Sequence, residues 1–362
     1  GIGDFYYAPP AGFLALCTKN LPDATVIPSE HFNTTLYTGT GSDIAITGVG
    51  HTPDLVWIKR RTGTSDHVLF DSVRGVDTWL RSNLTDSELV TVGGFPSFDT
   101  DGFTVGVGSG RWNGSGDPYV AWNWKAGGTA VSNTNGTITS SVSANPSAGF
   151  SIVSYAGTAA ANGTVGHGLS KAPSLYIIHD RTNGGQWPIY VESSGNGIKL
   201  DLSSTLGNAG TSFWNSTSPT ASVFTIKNTS TGDVLANGRN YIAYCFHSVD
   251  GYSKVGSYTG NGSADGPFVH CGFRVAYIFF RRTTDVGEHW RVFDNKRSPY
   301  NAVNTALRFN ASAAESSAAT YESDFLSNGF KIRTSDIDLN ANGSTYIFYA
   351  VAESPFKHSN AR

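Results

Sequence analysis

A chain of 362 residues, 39% of them hydrophobic, is long enough for two or three domains of ~150 residues each with cores of real size. Its formal charge of -3 is spread without basic or acidic blocks, so neither nucleic acid nor an anionic membrane is an expected partner. Charged residues at 15%, beside 42 glycines and 12% aromatics, describe turn-rich β structure and exclude a disordered polymer.

The N-terminus GIGDFYYAPP has neither the basic start nor the apolar core of a signal peptide, and no apolar run approaches the ~20 residues that cross a bilayer, so no membrane insertion is expected. Cys17, Cys245 and Cys271 are an odd, widely spaced set without a CxxC pair, which reads as buried free thiols and against a disulfide framework or zinc knuckle. No cofactor is expected.

Further along, one pattern recurs three times. Openings LYTGTG (36–41), SYAGTA (154–159) and SYTGNG (257–262) place Tyr37, Tyr155 and Tyr258 at spacings of 118 and 103 residues. Segments GHTPDLVWIKRR (50–61), SKAPSLYIIHDR (170–181) and GFRVAYIFFRRT (272–283) follow, with anchors Pro53, Pro173 and Val275 120 and 102 apart. Closing segments YVAWNWKA, YIAYCFHS and YIFYAVAE begin at Tyr119, Tyr241 and Tyr346, 122 and 105 apart. Three markers keeping one order and nearly one period indicate a repeated unit.

Within each unit the period is that of strands. Val120, Trp122 and Trp124 fall on one face and Tyr119, Ala121 and Asn123 on the other. Leu55–Ile58 and Leu175–Ile178 are continuous apolar runs, as for central strands covered on both faces. Asn-Gly pairs starting at Asn113, Asn135, Asn162, Asn183, Asn196, Asn237, Asn328 and Asn342 predict tight hairpins, because both residues tolerate positive φ. The best helical candidate is the short AVNTALRF (302–309). The expected fold is all-β, with three tandem antiparallel, jelly-roll-like β-sandwich domains at 31–128, 129–250 and 251–362. A long, small, polar linker (126–149), whose alternating Val and Ile suggest an edge strand, predicts a hinge after the first domain; the short second linker (247–254) predicts a rigid joint.

The segment YYAPPAGFLALCTKNLPDATV (6–26) resembles the end of the concanavalin-A-like (SPRY-type) domain of virion proteins from tailed, notably marine, bacteriophages. LVWIKRR, LFDSVRG (69–75), FDTDGFTVG (98–106), GSYTGNGSADGPFV (256–269) and DFLSNGFKIR (324–333) resemble the tandem units that follow it. The resemblance implies that residues 1–30 are the end of a preceding domain and a connector, and that further residues come before Gly1. It also implies a virion surface location as part of a tail fibre or similar appendage, with other virion proteins and host surface glycan as partners, and homo-oligomers, trimers especially. No residue-level site is carried over. The chain departs from the family in Val275, where Pro is usual, and in Tyr349, where Met is usual.

No reaction is legible. The nine histidines are scattered, no GxSxG elbow exists, and no catalytic residue is expected. His51 and His167 share a VGH context that reads as a repeated turn contact. DTDG (99–102) has acidic spacing but no further calcium ligands, and reads as a turn into a strand. Asp71/Arg74 and Asp294/Arg297 recur in LFDSVRG and VFDNKRS, where an Asp three residues before an Arg braces a loop. For sugar binding, Trp112, Trp187, Trp214 and Trp290 lie in polar, loop-like text and are the candidate aromatic platforms. The expected function is that of a non-enzymatic rigid spacer and adhesin. The alternatives are a lectin-like glycan-binding module and, third, a polysaccharide depolymerase using two carboxylates.

Overall fold

The computed structural model describes residues 25–196, 198–205, 209–210, 213–283 and 288–355. Cys17 and nearly all of the segment that resembles the end of a preceding domain lie outside them. The fold is all-β: every pairing between named strands is antiparallel, and among the described residues the one α-helix is a single turn, Ile337–Asn340. The segment 302–309, the best helical candidate in a sequence without convincing helical spacing, contains the strand Thr305–Arg308.

Among the described residues no sheet mixes strands from 31–128, 129–250 and 251–362, so the strands form three groups. In each, a closing strand lies between an opening strand and the strand that follows or contains the anchor. Pro118–Trp124 pairs with Phe32–Thr38 and Leu55–Arg60; Asn240–Phe246 pairs with Phe150–Ala156 and Leu175–Asp180; Thr345–Pro355 pairs with Ser253–Thr259 and Phe273–Arg282. A fourth strand, Val68–Asp71, Pro188–Val191 or Arg291–Asp294, hydrogen-bonds to the outer side of the anchor strand.

The repeated tyrosines have a physical reason. Tyr37 stacks on Tyr119, Tyr155 on Tyr241 and Tyr258 on Tyr346, with ring centroids 5.0, 5.1 and 5.0 Å apart. Each opening-strand hydroxyl donates to a buried carbonyl, of Trp112, Val234 or Leu339, at 2.7 Å. The glycine two residues later admits the chain to this corner, since a Cβ on Gly39, Gly157 or Gly260 would collide with the carbonyl oxygen of Gly114, Ala236 or Ala341. Several Asn-Gly pairs serve the same end instead of turning: Gly163 lies within a strand and Gly329 begins one, at non-positive φ, while Gly184, Gly238 and Gly343 do adopt φ near +70°.

Each large sheet is buried on both faces. Alternate residues such as Val56 and Ile58 face a core private to their group, which includes a two- or three-stranded smaller sheet. The other faces meet. Leu55, Trp57, Trp122 and Trp124 of the first group, Ile177, Trp187, Tyr244 and Phe246 of the second, and Tyr277, Phe279, Trp290 and Tyr349 of the third belong to one continuous cluster. Burying each such side chain contributes ~1.5–3 kcal/mol, so this shared core is a large stabilising term that separate beads would forgo.

The expected hinge at 126–149 is absent for this reason. Ala126 and Phe150 sit in the shared core, the Gly127 amide donates to Ser143 Oγ at 2.9 Å, and Val131–Asn133 and Ser140–Asn145 extend the second sheet at its edge.

Candidate functional site

The three groups contact each other in a cycle, and equivalent side chains make equivalent bonds. His67, Trp187 and Trp290 each precede the fourth strand of their group. His67 Nε2 lies 2.9 Å from the Arg308 carbonyl oxygen, Trp187 Nε1 donates to Leu84 at 3.0 Å, and Trp290 Nε1 donates to Asp201 at 2.8 Å. Thus first meets third, second meets first and third meets second. His67 Nδ1 accepts from Trp57 Nε1 at 3.0 Å, so its proton sits on Nε2, and burial followed by the nearby Lys59 charge keeps the ring neutral, well below the ordinary pKa.

Charged groups reinforce the cycle. Arg61 makes a bidentate pair with Glu315 and Arg181 with Glu88, across the first–third and second–first junctions. Asp71 pairs with Arg74 at 2.5 Å and Asp294 with Arg297 at 2.6 Å, all four side chains fully buried, which is the loop brace expected from the sequence. Each aspartate also reaches across a junction: Tyr244 donates to Asp71 at 2.7 Å and Trp122 to Asp294 at 3.1 Å.

The four candidate tryptophans are corrected by their placement. Trp112, Trp187, Trp214 and Trp290 are each 0% exposed. Trp112 packs edge-on to Phe70 and Trp79 in the first private core, and Trp214 packs edge-on to Tyr176 in the second. Trp187 stacks on His179 at 4.0 Å, and Trp290 lies beneath Arg281, at two junctions. A ring sealed from solvent offers no platform to a sugar. Polar flanking text misled here because these loops carry their indoles inward.

The remaining polar motifs are structural. Asp101 of DTDG accepts from the Gly48 and Gly50 amides at 3.0 and 2.6 Å. His167 accepts from the Leu169 amide at 3.1 Å, and His51 Nδ1 lies 3.2 Å from Ser29 O. Cys245 and Cys271 are buried free thiols, and burial raises both pKa values. A carboxyl pair does occur. Glu288 is raised by burial and by its hydrogen bond to Asp338, while at Asp338 burial is outweighed by that bond and by Arg291, whose Nε donates at 2.6 Å. Carboxyls in direct hydrogen bond are closer than the ~5–9.5 Å that glycoside hydrolysis requires, and Arg282 and Arg291 already occupy them.

Among the described residues an opening lies at one of the junctions. Between the first and third groups lies a cleft of about 160 Å³ lined by Asn33, Thr34, Ala276, Asn295, Lys296 and Glu353, among others. Its counterparts are identified by hydrogen bonding: the amides of Ser72, Glu192 and Asn295 donate to the carbonyls of Asp54, Ser174 and Ala276, each at 2.8 Å. Strand register likewise matches Thr34 with Ile152 and Val255. Where Asp54 stands at the second–first junction, its carboxylate accepts from Ser72 Oγ at 2.7 Å and the Ala126 amide at 2.8 Å. At the third–second junction, Ser248 Oγ accepts from the Val255 amide at 3.0 Å. At the first–third junction Ala276 leaves the volume open. The Thr34 hydroxyl beneath it is buried without a hydrogen bond, and no side-chain bond of Asn295 or Lys296 to another described residue is present. Sequence reading missed these residues, although the residue after each anchor, Asp54, Ser174 and then Ala276, carried the signal.

Across this whole span the chain matches one family model, a domain of unknown function (DUF7483), over residues 27–355. The chain belongs to that family. Its matched region takes in all three sheet groups and all three junctions of this DUF7483 member. No curated protein matches it.

Proposed function

We propose that the chain is a non-enzymatic structural component of a phage virion appendage, acting as a rigid spacer and host-facing adhesin. In this reading each sheet group is a jelly-roll-like β-sandwich domain, and the three close on one another around the shared core. The observation that carries the reading is the cycle of junctions, in which partly buried ion pairs and indole-to-carbonyl bonds lock first, second and third groups together. Such investment of charged and aromatic residues in rigidity suits a part that transmits load. The repeated polar motifs, apart from the residues of the cleft, are committed to turns, braces and junctions, which suits binding and display as the mechanism. The phage assignment rests on the resemblance of sequence phrases such as LFDSVRG and GSYTGNGSADGPFV to those of virion proteins. Association with other virion proteins, and trimerisation, would multiply weak surface contacts by avidity.

Glycan recognition is the second reading. The open cleft at the first–third junction favours it, in place of the four buried tryptophans. Labelling of intact particles by an antibody raised against the purified chain, viewed by electron microscopy, tests the main reading. Label on the appendages supports it, and label confined to particle-free host lysate contradicts it.

A further inference from the structure

We propose that the cleft between the first and third sheet groups binds a carboxylate carried on a group the size of one sugar ring, such as an acidic monosaccharide residue. The argument uses the protein as its own control. At the second–first junction the same fold position is filled by the carboxylate of Asp54, satisfied by Ser72 Oγ and a main-chain amide. At the first–third junction the main-chain bond that frames this position is kept, Asn295 N–H to the Ala276 carbonyl, but Ala276 replaces the aspartate and Asn295 replaces Ser72. The position lacks the acid, while Asn295, Lys296 and the unpartnered Thr34 hydroxyl line the space it leaves. The substitution at the next position strengthens this: Lys296 stands where the first group has the apolar Val73, which packs on the shared core. An exposed ammonium now stands at the rim of a slot shaped for an anion.

The other charge in the cleft does not cancel this. Glu353 is ion-paired with Arg274, so its charge is already neutralised within the third group. A ligand carboxylate therefore goes to the Asn295 and Lys296 side, with room toward Asn33 and Thr34 for ring hydroxyls. Volume limits the ligand: about 160 Å³ is below the ~300–1,000 Å³ of clefts that enclose drug-sized molecules, which fits one ring and not an oligosaccharide. This extends the glycan-recognition reading to a defined slot. Its failure would leave the structural reading intact.

Calorimetric titration of the whole chain with sodium glucuronate, sodium acetate and glucose tests the proposal, using wild type, Ala276→Asp and Lys296→Gln. Glucuronate should bind with 1:1 stoichiometry and glucose should not. Ala276→Asp, which restores an internal acid, should abolish binding, and Lys296→Gln should weaken it about tenfold, the loss of one charge-assisted bond. Acetate binding as tightly as glucuronate would support the carboxylate slot with a free small acid as its source; glucuronate alone would support an acidic sugar. Glucose binding equal to glucuronate, no heat with glucuronate, or unchanged affinity in Lys296→Gln would overturn the proposal. Because Lys296 is exposed, that variant remains decisive should Ala276→Asp fail to fold.

Discussion

Replacing Trp122 by alanine separates a shared core from three independent ones. Trp122 is fully buried, its ring centroid is 5.8 Å from that of Tyr277 and 5.6 Å from that of Phe309, and its N–H bonds Asp294, so its main partners belong to the third sheet group. Truncation of a buried Trp costs ~3–5 kcal/mol, and depriving the buried Asp294 carboxylate of a donor adds ~1 kcal/mol. The unfolding entropy of a single cooperative body of ~330 residues is about 0.7 kcal/mol per K, so a loss of ~5 kcal/mol lowers its one transition by about 7 °C. Were the first group a separate domain of ~100 residues, the entropy would be about 0.2 kcal/mol per K, and it alone would drop by ~20 °C or more. Differential scanning calorimetry reads this directly. One of several endotherms moving while the others stay fixed would refute the reasoning.

Gly157→Ala should cost about 3 kcal/mol, because the added methyl meets the Ala236 carbonyl and the Tyr241 ring; a urea midpoint equal to wild type would show that the corner relaxes freely. Asp71→Ala should cost ~3–5 kcal/mol by stranding the buried Arg74 guanidinium, whereas replacing both by leucine should recover most of that loss in the same urea assay. His179 is held neutral by burial, its pKa lowered to about 4 from 6.5, so the unfolded chain protonates first and stability falls as pH drops from 6.5 toward 4. The slope should approach ~1.4 kcal/mol per pH unit for this residue, and His179→Phe should flatten that part of a Tm-against-pH curve.

The local rules of this fold were legible. Strand alternation placed Trp122 and Trp124 on one face and Tyr119 on the other, and the structure sends those faces to the shared and private cores. The Tyr37, Tyr155 and Tyr258 markers, and the Asp-x-x-Arg brace, were visible because each is local in sequence and repeated. What covers the second face of Leu55–Ile58 was not visible. An apolar run states that both faces are buried, and the identity of the neighbour depends on how three sheets close. The tryptophans failed for a related reason: Trp187 and Trp290 lie in polar loops that are solvent-facing in an isolated unit and internal once a junction forms. The cleft required the registers of all three groups, since Ala276 gains meaning only beside Asp54.

Small-angle X-ray scattering of the purified chain measures the closure of the three groups most directly. A single compact body of 362 residues has a radius of gyration of about 21 Å. Three beads of ~110 residues strung at roughly 33 Å spacing would give about 30 Å, with a pair-distance distribution extended along one axis. A value near 21 Å with a single symmetric distribution is the result predicted, and one near 30 Å would contradict the shared core.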